Sequence, residues 1–116
     1  MNSSGHKRRA KEIELTLDVL LPDSDGNHVV AIVELSYGMI QHMISFEMEV
    51  RYQEHIDTHV GLPKQLRRFK EIEIAEIFEN LDSLRAGRWY GSKGNGDVVK
   101  KCIQYIEKVK KWSSYD

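Results

Sequence analysis

Three glycines, Gly91, Gly94 and Gly96, stand with Lys93 just ahead of Asp97. Glycine-rich chain feeding a helix N-terminus can hold phosphate, because free N–H groups and the positive end of the helix dipole meet there. Neither GxxxxGK[ST] nor GxGxxG occurs, and Asp97 at the helix cap would repel an anion, so the segment reads first as an interhelical loop. Trp89 and Tyr90 lie in the same stretch beside Arg88. These side chains anchor protein interfaces and also stack on nucleic-acid bases. His55, Asp57 and His59 alternate, but no cysteine or further acidic cluster is spaced to complete a tetrahedral metal site. Cys102 falls on an apolar helical stripe with no base beside it, the setting of an inert buried thiol rather than a nucleophile. No catalytic residue, metal or cofactor is therefore expected, and the chain is read as a non-enzyme.

The tetrapeptide Gly91-Ser92-Lys93-Gly94, followed by Val98-Val99-Lys100-Lys101, resembles the GxxG loop of KH domains, which clamps nucleic-acid backbone between two helices. A KH domain also needs a strand after or between those helices, and none is expected after Trp112. No family is assigned on this tetrapeptide.

The elements that would position these residues follow from hydrophobic period. Ile13, Leu15, Leu17, Val19 and Leu21 alternate with polar residues, which predicts a half-buried strand ending at Pro22–Asn27. Val29, Ala31, Val33, Leu35 and Tyr37 predict a second, with Gly38 as a tight reversal. Ile40, Ile44, Phe46, Met48, Val50 and Tyr52 predict a third, interrupted by His42. From Pro63 to Leu84 the spacing is helical, with Gly87 as a stop and a weak point at Glu71–Ile74 that fits a break or short strand. Asp97 caps a last helix whose stripe is Val99, Cys102, Ile103, Ile106 and Val109. The expectation is an α+β fold: a three-stranded antiparallel meander followed by two helices packed on one face (βββαα, two layers). Residues 1–10 are expected as a flexible basic arm, 11–112 as one domain and 113–116 as a frayed tail.

Charge is unevenly placed. Residues 1–58 hold five Lys/Arg against ten Asp/Glu, and residues 59–116 twelve against eight. On the expected strands Glu14, Asp18, Glu34, Glu47 and Glu49 share the solvent face. That predicts an acidic sheet surface able to engage a partner protein, in the manner of an immunity protein or phage-encoded inhibitor, together with Trp89 and Tyr90. The alternative is nucleic-acid binding through Arg8, Arg9, Arg88, Lys93, Lys100 and Lys101, against which stands a pI near 6.5. A single cysteine and an N-terminus without an apolar run point to the cytoplasm, with no membrane role expected. The chain is expected as a monomer or as a homodimer joined at a sheet edge.

Overall fold

The computed structural model describes residues 2–54, 61–87 and 96–115. Among them every regular element is a helix: α1 Ser3–Leu20, α2 Val29–Tyr52, α3 Gly61–Arg68, α4 Ile72–Gly87 and α5 Gly96–Trp112. The α+β expectation is overturned. No described residue lies in a strand, so there is neither a meander nor a sheet edge for dimerisation.

The reason lies in α2. From Val29 to Tyr52 the chain has no proline, and Gly38 is its one glycine. One glycine mid-helix costs about 1 kcal/mol relative to alanine, too little to stop a 24-residue helix so largely buried. The buried residues Ile32, Val33, Ser36, Met39, Ile40, Met43, Ile44, Glu47 and Met48 recur at helical spacing. Helices α1, α4 and α5 all pack on α2. A helix apolar on most sides is a core helix. The same segment is long and apolar enough to cross a membrane by length and composition, with 61% of its most apolar stretch buried inside this fold.

Gly38 does not reverse the chain; it lets α1 approach. A Cβ there would sit 3.3 Å from Ile13 Cδ1. Residues 3–10, expected as an arm, are the first turns of α1, capped by the Asn2 side chain accepting from Gly5 N–H at 2.9 Å. Gly5, His6 and Ala10 are buried there. The expected helix from Pro63 to Leu84 is two helices, parted where Lys70 takes a left-handed φ of 64°. The Glu71 N–H then bonds Leu66 O at 2.8 Å, a glycine-type helix ending made with lysine. The C-terminus does not fray at its aromatic: Tyr115 is fully buried.

Candidate protein-interaction face

Helix α5 runs antiparallel to α1. Lys110 bonds Glu14, while Ile103 and Ile106 share a cleft with Leu17, Asp18 and Leu21. The two helices do not close on each other fully, and Met39 of α2 closes the floor. The cleft holds about 100 Å³, room for about one aliphatic side chain. Ile103 is exposed on its α5 side, and beyond its α1 wall Leu15 is 69% and Val19 83% exposed. Leu15 lies three residues from Asp18, so the two are neighbours on the helix surface.

Three carboxylates ring the opening. Glu14 is already engaged: Lys110 donates to one oxygen and Tyr115 Oη donates to the other at 3.0 Å. Partial burial opposes its ionisation, but these two donors outweigh burial and hold the carboxyl below its usual range. Asp18 and Glu107 are exposed on the same rim. Lys11 Nζ lies 4.3 Å from the Tyr115 ring centre, which keeps that ammonium on the α5 side of α1.

The remaining expected acidic residues are scattered. Glu34 is bonded by Arg85 Nε at 2.9 Å. Glu47 is buried; it accepts from Arg51 Nε at 2.7 Å and from the Ser114 N–H. Glu49 is half-buried on α2. The helical period, 100° per residue, turns apart side chains that a strand would align. Of the five, only Glu14 and Asp18 meet at one place.

The residues of the nucleic-acid alternative are also divided. Arg8 and Arg9 lie toward the N-terminus of α1, and Lys100 and Lys101 lie in the first turns of α5. Antiparallel packing puts these two pairs at opposite ends of the molecule. Arg88, Trp89, Tyr90, Lys93, His55 and His59 lie outside the described residues. Among the described residues no three His, Cys, Asp or Glu side chains cluster as metal ligands. Cys102 is fully buried, and burial pushes its thiol up to about 11.

Two features escaped the sequence. One is a wider hollow of about 430 Å³ between the α3–α4 corner and the end of α5, lined by Lys70, Ile72, Lys111 and Trp112. Of its two acids, Glu73 pairs with Lys108 at 4.0 Å, and Glu71 accepts from Arg51, from Tyr52 Oη at 2.8 Å and from Trp112 Nε1 at 2.6 Å. This hollow is therefore the seam of a clamp tying α2, α4 and α5. The other is a contact between His6 and His42, Nδ1 to Nδ1 at 2.8 Å. They are 36 residues apart, and nothing in the local spacing signals it. Leu15, Val19 and Ile103 were legible as apolar, but their exposure was not.

The chain matches no protein-family model, no curated protein and no solved structure, so surface chemistry and fold carry the functional reading.

Proposed function

We propose that this chain is a small non-catalytic protein-binding module of the cytoplasm that engages its partner through the outer face of α1 and the α1–α5 cleft. The observation that carries the reading is the exposure of Leu15 and Val19 on the outer face of α1, next to a cleft lined by Ile103, Asp18 and Glu107. Isolated exposed apolar residues are ordinary, but adjacent ones beside a side-chain-sized cleft favour an interface. Asp18 and Glu107 favour a partner that presents a cation beside its apolar side chain and would steer its approach. The acidic sheet is no part of this reading.

The experiment is site-specific photocrosslinking in the native host. A crosslinking residue at Leu15 or Ile103 should yield a discrete protein adduct that survives nuclease treatment. The same residue at exposed Glu76 of α4 should not, and Asp18→Lys with Glu107→Lys should abolish the adduct. Adducts that vanish with nuclease would replace a protein partner with nucleic acid.

A further inference from the structure

We infer that the outer face of α1 pairs with the same face of a second copy, antiparallel about a two-fold axis passing beside Leu15. This rests on the interface reading above and names its occupant. Lys11, Leu15 and Asp18 are spaced i, i+4 and i+7, so they form one line along α1. Among the described residues Leu15 and Val19 are the two most exposed large apolar side chains. The helix is also polarised: Lys7, Arg8, Arg9 and Lys11 precede Glu12, Glu14 and Asp18. With the axis beside Leu15, antiparallel pairing brings Lys11 of each copy to the Asp18 end of the other.

The register is specific. In a two-fold antiparallel helix pair, each flank meets the same flank of the copy, and residue n meets residue 30 − n when the axis passes Leu15. Lys11 then comes within about 1.5 Å, along the axis, of the level of Asp18 in the other copy. Lys11 and Asp18 share the α5-side flank, so two opposite-charge pairs bracket a Leu15–Leu15 contact. On the other flank Val19 packs over the aliphatic stems of Glu12 and Arg8. One helix face per copy is a small interface, so the dimer is weak and exchanging, of the transient class.

Three measurements test it on the full chain. Sedimentation from micromolar to near-millimolar concentration should show a monomer–dimer equilibrium. Asp18→Lys should weaken it by about tenfold or more, and adding Lys11→Glu to that chain should restore it, because the reversed pair is again complementary. Under mild oxidation Leu15→Cys should crosslink to itself. Val19→Cys should not, yet it should crosslink to a chain carrying Glu12→Cys; buried Cys102 does not compete. All five positions are exposed on one helix, and circular dichroism should show the variants folded. A monomer at every concentration, a double reversal that fails to restore association, or self-crosslinking stronger at residue 19 than at residue 15 overturns the inference. If the chain is monomeric while a crosslinker at Leu15 still captures another protein, only the second copy falls. If it captures nothing, the interface falls with it.

Discussion

His6 and His42 meet through their Nδ1 atoms at 2.8 Å, His6 buried and His42 partly so. At that distance one ring donates and the other accepts, so the contact survives with one neutral imidazole and fails when both are cations. Burial, then His6 and Arg9, holds His42 down to about 4 against an ordinary 6.5. The unfolded chain thus takes up a proton that the folded chain refuses as pH falls from 6.5 toward 4. Stability from this group is complete above about 6.5 and is lost across that window. After allowance for its partial exposure the loss is about 1–2 kcal/mol. Urea unfolding between pH 7.5 and 4 should show a steeper decline for the wild type than for His42→Gln; parallel profiles would mean that the imidazole does not titrate in contact with His6. Glu47 poses the opposite case, a carboxylate 2% exposed and bonded by Arg51. Arg51→Met leaves that charge buried with only Ser114 as donor. It should cost about 2–4 kcal/mol, and the double variant with Glu47→Gln should recover part of the loss. Denaturant midpoints of the four proteins complete the cycle.

At the scale of elements, the sheet expectation failed for a reason visible in α1. Ile13, Leu17 and Leu21 satisfy a period of two and also the helical i, i+4, i+8 line, so alternation alone does not decide between them. The helix buries Leu17 and partly buries Ile13, Leu20 and Leu21. Leu15 and Val19, which only a strand would have turned inward, are left in water. In α2, reading Ile40, Ile44, Phe46 and Met48 as one face passed over Met39, Met43 and Glu47, which are equally buried. The break near Glu71 and most of the α5 stripe, Cys102, Ile106 and Val109, were legible, because an amphipathic helix is specified locally; Ile103 is exposed, Val98 takes the buried place of Val99, and Asp97 lies within the first turn of α5 rather than at its cap. Packing on three sides of α2 is not specified locally. Gly38 tests the α1–α2 seat. Alanine there should be near neutral, because the gain in helix propensity, about 1 kcal/mol, offsets the tight approach to Ile13. Gly38→Leu must push α1 away and should cost about 1–3 kcal/mol, read from urea unfolding. A leucine variant as stable as the wild type would place α1 elsewhere.

Across the whole molecule, folding and association draw on different forces, and salt separates them. The fold is a core helix wrapped by α1, α4 and α5. Its exposed ion pairs, Arg85–Glu34, Arg67–Glu79 and Lys108–Glu73, have side chains 38–74% exposed, and each is worth about 0–1 kcal/mol. The carboxylates that matter to the fold, Glu47 and Glu71, are mostly shielded from solvent. Raising sodium chloride from about 0.01 M to about 1 M shortens the screening length from roughly 30 Å to roughly 3 Å. The unfolding free energy of Asp18→Lys, a form held monomeric, should then change by less than about 1 kcal/mol, while self-association of the wild type through Lys11 and Asp18 should weaken severalfold. Urea midpoints and sedimentation at the two salt concentrations give both quantities. A stability that collapsed with salt would mean that surface charge, not the apolar wrap around α2, holds the helices together. Association that strengthened with salt would mean that the contact between copies is apolar without the charge register that selects Leu15 as its centre.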